Sequence, residues 1–520
     1  MSSEMLINLK NVSISTLDKT LFEGLSLSVE RGELIALVGA NGCGKSSLLQ
    51  EILARIGGER HKADAGIMDV TGGFAASSGL LIGYLPQYID DVASILNDKN
   101  QSIRAGDIER LGRDFDFKIE AEKVSRLSEG ERQKLAIVRA IASDYDLYLF
   151  DEPTNYLDIA GITAFEAHIE RLKKQGKGII LITHDRTMTD NLADKTVLLT
   201  THGIYHSVGG ATAVFSVRRN DLDSRSRQVK DIGRKIRQLQ DDMRQKAGWS
   251  AKSEKRKIGG GAAKPYFAKL SKKMAKRAKA AQKRAEQALG KLEEAKPRLP
   301  RKLNLSLPSY PIANRQVFSL EDLAYAYSSD TEFASGLPRN YLLKDISLAG
   351  STRDKICLMG ANGSGKSTLV RLIRKQLQPL HGQAILNDSV PSAVIPQGLA
   401  GFFNQSSLLG NFSDCGVDET TIRQYLGAAL IRKDKVRESV GNFSYGELMR
   451  AAIVKCLLLK AEFLFLDEPT SHLDIESIEI LERILRDFSG GYLIISHDRA
   501  FVENIADRLY MLDRDKLILI

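Results

Sequence analysis

Short runs of mostly apolar residues lie towards both ends of the chain, and of those named here only the first contains a polar residue, Asn8. In the first part they cover residues 6–9, 34–38 and 147–150, and in the last part residues 356–359 and 463–466. Runs of four or five apolar residues bounded by glycine or acidic residues predict strands buried on both faces, as in a parallel sheet. The segment after the second run mixes leucine and isoleucine with polar residues, which predicts a helix. The pattern therefore predicts an α/β fold at each end of the chain.

The middle of the chain has a different periodicity. Between residues 222 and 243, apolar residues recur at steps of seven, three and four, the spacing of an apolar seam on a helix. A weaker seam lies between residues 267 and 292. Three consecutive glycines at 259–261 disfavour a helix, so the chain should turn within residues 249–265. An antiparallel pair of helices is therefore predicted, with seam positions Leu222, Val229, Ile232, Ile236, Leu239 and Met243, then Phe267, Met274, Ala278, Ala281, Ala285, Ala288 and Leu292.

Charge also separates the middle segment from its flanks. Residues 218–302 contain 28 Lys and Arg against 9 Asp and Glu, a net charge of +19. The whole chain carries only +9, so the flanking parts are acidic. Residues 244–284, around the expected turn, contain 15 basic residues and one acidic residue, Glu254. This concentration favours a polyanionic partner, because the charges would otherwise repel one another.

A glycine-rich loop follows one buried run in each half. Residues 39–46 have the sequence Gly-Ala-Asn-Gly-Cys-Gly-Lys-Ser, and residues 360–367 have Gly-Ala-Asn-Gly-Ser-Gly-Lys-Ser. Both match the phosphate-binding loop G-x-x-x-x-G-K-[ST], whose backbone N–H groups surround phosphate oxygens at the start of a helix. A glycine turn with a chance lysine is the alternative, which the flanking strand and helix disfavour. The lysine would neutralise the β- and γ-phosphates and the serine would hold Mg²⁺: Lys45 and Ser46, and Lys366 and Ser367.

Two carboxylates end a buried run in each half. Residues 151–154 and 467–470 both have the sequence Asp-Glu-Pro-Thr, and they lie 316 positions apart, close to the 321 positions between the two loops. Two series in matching order indicate a duplication. An acidic pair that closes a strand is often a solvated turn, but the carboxyl ends of parallel strands also open onto a ligand crevice. The aspartate is predicted to bind Mg²⁺ and the glutamate to act as general base on the attacking water, which names Asp151 and Glu152, and Asp467 and Glu468.

Three further pairs keep the same order in both halves. A Pro-Gln step lies between the loop and the acidic strand, a histidine ends a later apolar run, and a serine and a glycine open a helix-like segment. Alone, each has an ordinary explanation: a loop, a hydrogen-bonded structural histidine and a helix cap. Their repetition adds them to the candidate site, as Gln87 and Gln397, His184 and His497, Ser128 and Gly130, and Ser444 and Gly446.

Composition excludes several classes of protein. A chain of 520 residues with 43% hydrophobic and 27% charged residues is ordinary for two to four folded domains. No stretch approaches 18 apolar residues, and the first residues lack a basic region followed by an apolar run, so a cytoplasmic protein without a membrane span is expected. Neither zinc nor disulfides are expected, because the four cysteines have no CxxC spacing: Cys43, Cys357, Cys415 and Cys456.

Together the paired elements resemble the ATP-binding cassette (ABC) ATPases, with Walker A, Q-loop, signature, Walker B, D-loop and switch histidine each present twice. Two cassettes without membrane spans, joined by a basic helical segment, resemble the ABC-F subfamily, whose D-loop form ends here at Asp158 and Asp474. The resemblance implies an α/β fold of two P-loop NTPase cassettes, residues 1–217 and 303–520, joined by an antiparallel α-helical hairpin linker, residues 218–302. Members of the subfamily act on ribosomes, where the linker reaches toward transfer RNA and the peptidyl transferase centre.

The resemblance also implies two sites for ATP and Mg²⁺. ABC cassettes pair head to tail, so a monomer would pair its own cassettes, each ATP lying between one Walker A loop and the other half's signature. In the first site, ATP would contact Gly39, Asn41, Gly42, Gly44, Lys45, Ser46 and Ser47 of the first half, together with Ser444, Gly446 and Glu447 of the second. In the second site, ATP would contact Gly360, Asn362, Gly363, Gly365, Lys366, Ser367, Thr368 and Tyr327, together with Ser128 and Gly130 of the first half. Mg²⁺ would contact Ser46, Gln87 and Asp151, and Ser367, Gln397 and Asp467. The catalytic residues would be Glu152, His184 and Gln87, and Glu468, His497 and Gln397.

The sequence departs from the family pattern at the signature and before the first loop. Glu129 and Tyr445 replace the first glycine of Leu-Ser-Gly-Gly-Gln, and Tyr445 is expected to make the first site unlike the second. The aromatic residue that stacks on adenine is absent before the first loop, where Thr16 or Leu17 falls, while Tyr327 precedes the second. Looser adenine binding is therefore expected in the first site.

The segment between the Q-loop and the signature of the first cassette is short. Between Gln87 and Leu127 there are 39 residues, too few for the extra arm helices that some translation-factor members insert there. An armless pair of cassettes with a long linker resembles the members that protect ribosomes from antibiotics bound to the large subunit. The resemblance thus implies a possible role in antibiotic resistance.

Three functions from different classes fit these features. The first is an ATPase that binds 23S rRNA and tRNA on the ribosome through residues 244–284, where Trp249, Tyr266 and Phe267 lie among basic residues suited to phosphate contacts and base stacking. The second is the ATPase subunit of a drug exporter with separate membrane proteins, which has no use for the basic linker. The third is a DNA-repair or chromosome-associated ATPase, which fits the charge but lacks a zinc spacing and a long coiled coil. The linker favours the first, and a merely solvated hairpin is the weaker alternative.

Overall fold

The structure is a computed structural model of the chain. It describes residues 4–17, 19–56, 68–89, 105–115, 127, 129–155, 157–200, 203–255, 280, 283, 286–288, 290, 312–327, 341–399, 401–431 and 435–520. The chain divides into two compact units, one formed by residues 1–214 with 303–520 and the other by residues 215–302.

The first cassette is built on a six-stranded sheet with a smaller three-stranded sheet. Its strands are β1 (Met5–Thr16), β2 (Thr20–Glu30), β3 (Leu34–Gly39), β4 (Met68–Ala76), β5 (Ile82–Leu85), β6 (Leu147–Asp151), β7 (Gly178–Ile182), β8 (Lys195–Thr200) and β9 (Gly203–Val208). Its helices are α1 (Lys45–Ile56), α2 (Ala105–Asp114), α3 (Glu129–Ala142), α4 (Ile159–Lys174) and α5 (Arg186–Leu192).

The order of strands in the large sheet is β5-β6-β7-β3-β8-β9, and all neighbours are parallel except β8 and β9. Strands β3, β6 and β7 are buried along their whole length, as their continuous apolar sequences predict. The small sheet, in the order β2-β1-β4, is antiparallel. Because β3, β6 and β7 are adjacent and parallel, the residues that follow them meet at one edge of the sheet.

The second cassette repeats this arrangement. Its strands are β10 (Gln316–Tyr325), β11 (Leu343–Ser351), β12 (Lys355–Gly360), β13 (His381–Leu386), β14 (Ser392–Ile395), β15 (Phe463–Asp467), β16 (Gly491–Ile495), β17 (Arg508–Asp513) and β18 (Lys516–Leu519). Its helices follow the linker helix α6 (Ala211–Lys255) in the numbering. They are α7 (Lys366–Ile373), α8 (Glu419–Ala428), α9 (Tyr445–Leu458), α10 (Ile475–Asp487) and α11 (Arg499–Ile505). Short 3₁₀ turns occupy Gln397–Leu399, Leu409–Cys415, Lys435–Arg437 and Val440–Asn442. The sheet orders β14-β15-β16-β12-β17-β18 and β11-β10-β13 match those of the first cassette strand for strand. The two-cassette α/β fold predicted from the paired motifs is confirmed.

The linker begins with one long helix, α6 (Ala211–Lys255). Four of the predicted seam residues are half-buried, while many residues between them are exposed, as the periodicity requires: Leu222, Val229, Ile232 and Ile236. The turn expected within residues 249–265 does not begin before Lys255, so its first residues are helical instead. Lysines and alanines around Trp249 are good helix formers, which explains the extension. The three glycines lie outside the described residues, and of the second seam only 280, 283, 286–288 and 290 are described, as helix.

Within the described residues, no helix is long and apolar enough to cross a lipid bilayer. The four cysteines are buried free thiols, as expected.

Candidate functional site

Both Walker A loops require glycine at their first position. Gly39 and Gly360 have φ angles of 151° and 152°, a region that L side chains rarely adopt. A Cβ at Gly39 would lie 2.3 Å from the carbonyl oxygen of Leu199, and a Cβ at Gly360 would lie 2.4 Å from that of Leu512. Each loop is thus pressed against the neighbouring strand and leads directly into a helix, α1 or α7.

The Walker A lysines are buried and folded back over their own loops. Nζ of Lys45 donates to the carbonyl oxygens of Gly39 at 2.8 Å and Ala40 at 3.0 Å. Lys366 repeats the arrangement, with 2.8 Å to both of its carbonyl acceptors. The positive charge of each lysine is therefore held at the mouth of the loop, beside the N-terminus of the helix, where both favour an anion.

The Walker A serines and the Walker B aspartates form a matched pair in each cassette. The serine and the aspartate lie side by side in each cassette, Ser46 with Asp151 and Ser367 with Asp467. Burial raises the pKa of Asp151 to about 6, and it raises that of Asp467 as well. Oδ1 of Asp151 is buried and has no hydrogen-bond partner among the described residues. A serine hydroxyl beside one such carboxylate fits Mg²⁺, which prefers one or two protein oxygens together with substrate phosphates.

The Walker B glutamates have a strained backbone. Glu152 and Glu468 both have a φ of 49°, in the left-handed region. Their backbone N–H groups donate to the carbonyl oxygens of Ile182 and Ile495, the last residues of β7 and β16, at 2.9 Å each. The strain is held by the packed sheet and aims each carboxylate across the edge where β3, β6 and β7, or their counterparts, end.

Each glutamate faces the switch histidine of its own cassette. Nε2 of His184 lies 2.9 Å from Oε1 of Glu152, and Nε2 of His497 lies 3.2 Å from Oε1 of Glu468. Burial favours the neutral form of Glu152, but the contacts with His184 and Asn155 outweigh it and lower its pKa to about 2. Burial raises the pKa of Glu468 to about 8, although the positive charge of Lys366 opposes the rise. Burial and the same lysine lower the pKa of His497 to about 4.

The second oxygen of the glutamate is bonded differently in the two cassettes. Oε2 of Glu152 accepts from Nε2 of Gln87 at 3.1 Å and from Nδ2 of Asn155 at 2.8 Å. In the second cassette the corresponding residues are Gln397 and Ser471, and all of these positions belong to the described part of the chain. Neither of their side chains donates to Glu468, whose Oε1 is buried without a hydrogen bond. The two sites therefore hold their carboxylates differently.

The predicted second site forms a cavity of about 760 Å³. The second Walker A loop, Gln397, Glu468 and His497 line it together with Gly130 from the signature of the first cassette. Tyr327 also lines the cavity, and its hydroxyl lies 3.0 Å from Oγ1 of Thr368. The structure thus brings these residues together as head-to-tail pairing requires, while Ser128 lies outside the described residues.

The signature of the second cassette opens helix α9 with a capping box. Ser444 is the N-cap, its hydroxyl accepts from the N–H of Glu447 at 3.2 Å, and the Glu447 carboxylate accepts from the N–H of Ser444 at 2.9 Å. Lys435 also donates to this carboxylate at 2.8 Å. A Cβ at Gly446 would lie 2.7 Å from Oγ of Ser477, so this glycine allows α9 to pack against α10. Helix capping, the ordinary explanation of the serine, is thus present in the structure.

The D-loop aspartates, Asp158 and Asp474, join the two cassettes, a role that was not predicted from the sequence motifs. Each caps its own helix with Oδ1 and accepts with Oδ2 from a backbone N–H of the opposite Walker A loop. Oδ2 of Asp158 accepts from Asn362 and Oδ2 of Asp474 accepts from Asn41, at 3.2 Å in both cases. Their positions directly before α4 and α10 signal the cap in the sequence, but the partner across the interface follows only from the tertiary structure.

The arginine after each switch histidine also reaches the other cassette. Arg186 forms a buried ion pair with Glu482 of α10. Arg499 lies 3.5 Å from Glu166 of α4 and donates to Oγ1 of Thr163 at 3.2 Å. The sequence pattern His-Asp-Arg occurs in both halves, at 184–186 and 497–499, and its repetition was the available signal for these residues.

Comparisons with known proteins agree with this architecture. Residues 22–155 and 343–471, about half of the chain, match the ABC transporter family. ATP-binding protein Uup of Haemophilus influenzae is 28% identical over 98% of this chain and 79% of its own length. Ribosome protection protein VmlR of Bacillus subtilis is 26% identical over 96% of this chain and 85% of its own length. The solved structure of the archaeal ribosome recycling factor aABCE1 in complex with the stalk protein aP1 has a TM-score of 0.57 at 20% identity, over 93% of this chain and 83% of that chain, which supports the fold alone.

Uup and VmlR are ABC-F proteins, so the resemblance inferred from the paired motifs is confirmed. ABC cassettes bind and hydrolyse ATP, which confirms the predicted ATPase activity. The chain belongs to the ABC transporter family, as a pair of ATP-hydrolysing cassettes of the ABC-F type.

Proposed function

We propose that this ATPase binds the ribosome through its linker, near the tRNA and peptidyl transferase region, and modulates translation from the cytoplasm. The observation that carries the proposal is the charge of residues 244–284, with 15 basic residues and one acidic residue. Such a segment neutralises phosphates of a nucleic acid and releases counterions. The relative named a ribosome protection protein, VmlR, supports the ribosome as the polyanion.

We further propose roles for the side chains at the two sites. Lys45 and Lys366 neutralise the phosphates of ATP, and the signature of the opposite cassette completes each site. Bound Mg²⁺ would be held by Ser46 and Asp151, or by Ser367 and Asp467, with Gln87 and Gln397 nearby, and it would neutralise charge that develops on the phosphates. Glu152 and Glu468 orient the attacking water and accept its proton, while His184 and His497 hold these carboxylates.

Closure of the cassettes on ATP is the conformational change that would be transmitted to the linker. The Asp158–Asn362 and Asp474–Asn41 contacts tie each Walker A loop to the opposite D-loop. ATP at the same interface stabilises the closed arrangement, and its hydrolysis removes that stabilisation, which is a ligand-driven hinge motion. In this proposal, closing and reopening would change the angle of the linker hairpin.

Replacing the basic residues of 244–284 by serine is expected to weaken binding to 70S ribosomes by at least about tenfold and to flatten its salt dependence, because phosphate contacts set both. Co-sedimentation at several salt concentrations, with ATP bound by a hydrolysis-deficient chain, measures both quantities. A chain in which an equal number of exposed polar residues of the cassettes is replaced by serine is the control. Unchanged binding would contradict the ribosomal proposal.

Protection from antibiotics bound to the large subunit is the finer form of this proposal. It rests on the short segment between Gln87 and Leu127 and on the similarity to VmlR. Growth of cells that express the chain, with and without such antibiotics, distinguishes resistance from a general effect on translation. The alternative function, an ATPase subunit of a drug exporter, predicts that deletion of residues 246–283 leaves resistance intact.

Tyr327→Ala is expected to weaken ATP binding at the second site by about tenfold, because base stacking on an aromatic ring is worth roughly 1–3 kcal/mol. Tyr327 is 39% exposed and lines the cavity, whereas Leu17, near the corresponding position of the first cassette, is 85% exposed. Titration with a fluorescent ATP analogue should show one weakened site and one unchanged site. Leu17→Ala is the matched control, and equal weakening of both sites by Tyr327→Ala would refute the assignment.

A further inference from the structure

The general bases of the two sites differ in the residue three positions after them. The sequences are Glu152-Pro-Thr-Asn155 and Glu468-Pro-Thr-Ser471. We propose that Asn155 is a positioning residue, which holds the carboxylate of Glu152 in the orientation needed to act on the attacking water. Ser471 does not hold Glu468 in this way, so the first site cleaves ATP faster than the second. The inference rests on the proposed role of the glutamates, and it is independent of the ribosomal proposal.

The backbone places both residues alike, so the side chain makes the difference. The N–H groups of Asn155 and Ser471 point at the carbonyl oxygens of Glu152 and Glu468, at 3.5 and 3.3 Å. Both glutamates have the same φ of 49°. The asparagine amide extends far enough to donate to Oε2 of Glu152 at 2.8 Å. A serine hydroxyl is shorter, and that of Ser471 makes no hydrogen bond with Glu468 within the described region.

In the first site, both carboxylate oxygens of Glu152 have partners. Oε1 faces His184 at 2.9 Å, and Oε2 accepts from Asn155 and from Gln87. Three contacts from three different segments leave the side chain, which is 8% exposed, little rotational freedom. A base that is already oriented needs no rearrangement when water attacks, which lowers the barrier to reaction.

In the second site, among the residues that the structure describes, the side-chain contact of the Glu468 carboxylate is with His497, at 3.2 Å from Oε1. Gln397 begins a 3₁₀ turn and lines the cavity, but it makes no hydrogen bond with Glu468 in the described chain. Glu468 is therefore less constrained, and a wider range of orientations reduces the fraction that is productive. The two sites of one chain can therefore be compared directly, because Glu152 is held by side-chain contacts that Glu468 lacks.

The test measures the first turnover at one site at a time. Glu468→Gln leaves the first site as the source of phosphate, and Glu152→Gln leaves the second. In these two backgrounds, rapid quench measures the phosphate formed in the first turnover, before the cassettes reopen. We expect Asn155→Ser to slow the first site by about tenfold and Ser471→Asn to accelerate the second severalfold, since a hydrogen bond to a charged group is made or lost.

Controls separate positioning from a structural effect. Asn155 also lines the cavity of the second site, so Asn155→Ser is measured in both backgrounds, and it should slow the first site much more than the second. Asn155→Asp should be slower than Asn155→Ser, because a second carboxylate repels Glu152. An Asn155→Ser chain that cleaves at the original rate, or that slows the second site equally, would overturn the inference. Persistent cleavage with both glutamates replaced would instead refute the general-base assignment itself.

Discussion

Glu152→Gln together with Glu468→Gln is expected to reduce ATP hydrolysis by about 10²- to 10⁴-fold while ATP stays bound. General base catalysis contributes an effect of this size, and glutamine keeps the shape of the side chain without accepting a proton. The side chains of Glu152 and Glu468 are 8% and 13% exposed at the ends of central strands, and the aspartates that precede them, Asp151 and Asp467, are assigned to Mg²⁺. Steady-state phosphate release and filter binding of radioactive ATP measure the two quantities.

The control for this experiment is Glu321→Gln, an exposed residue of β10 outside the sites, which should keep the original rate. Loss of both hydrolysis and ATP binding in the double variant would indicate misfolding, which far-ultraviolet circular dichroism detects. Retention of hydrolysis in a folded double variant contradicts the assignment of both bases. The single variants then report whether one site cleaves without the other.

Arg186→Ala is expected to destabilise the closed arrangement by about 3 kcal/mol, because removing one partner of a buried ion pair leaves the other charge buried. Glu482 is only 5% exposed and Arg186 is 13% exposed. Arg486 and Asn504 also contact Glu482, at 3.2 and 3.4 Å, which keeps the cost at the lower end of the range for buried pairs. In the hydrolysis-deficient chain, the time for which ATP is retained after gel filtration should fall by roughly a hundredfold.

Arg483→Ala, an exposed arginine on the same helix, is the matched control and should retain ATP as before. Glu482→Gln added to Arg186→Ala should recover part of the retention, because it removes a buried charge that has lost one of its partners. Unchanged retention in Arg186→Ala would show that this ion pair does not contribute to closure. Arg499→Ala tests the opposite pair, and a smaller effect is expected because its contact with Glu166 is longer, at 3.5 Å.

The strands, the helix starts and the duplication were predictable because each depends on local sequence. Four or five consecutive apolar residues bounded by glycine or acidic residues favour a central strand, and β3, β6, β12 and β15 formed where such runs occur. Strand β2 contains no continuous apolar run and was therefore not predicted. Its apolar and polar residues alternate, because it belongs to a sheet with one exposed face. The linker helix was predicted from its seam, but its length was underestimated, because tryptophan, lysine and alanine at 249–255 do not interrupt a helix.

The sequence by itself determined the paired motifs from which both sites are proposed, since phosphate binding, metal binding and proton transfer each restrict the residue type at a fixed place in a motif. It also determined the charge of the linker. Only the tertiary structure decided which atoms meet across the cassettes: Asp158 with Asn362, Asp474 with Asn41, and Arg186 with Glu482. These partners lie between 204 and 433 positions apart, so no local pattern specifies them. The structure likewise decided that the side chain of Asn155 contacts Glu152 while that of Ser471 does not contact Glu468. The length of a side chain decides its contacts only once the backbone has fixed where it starts.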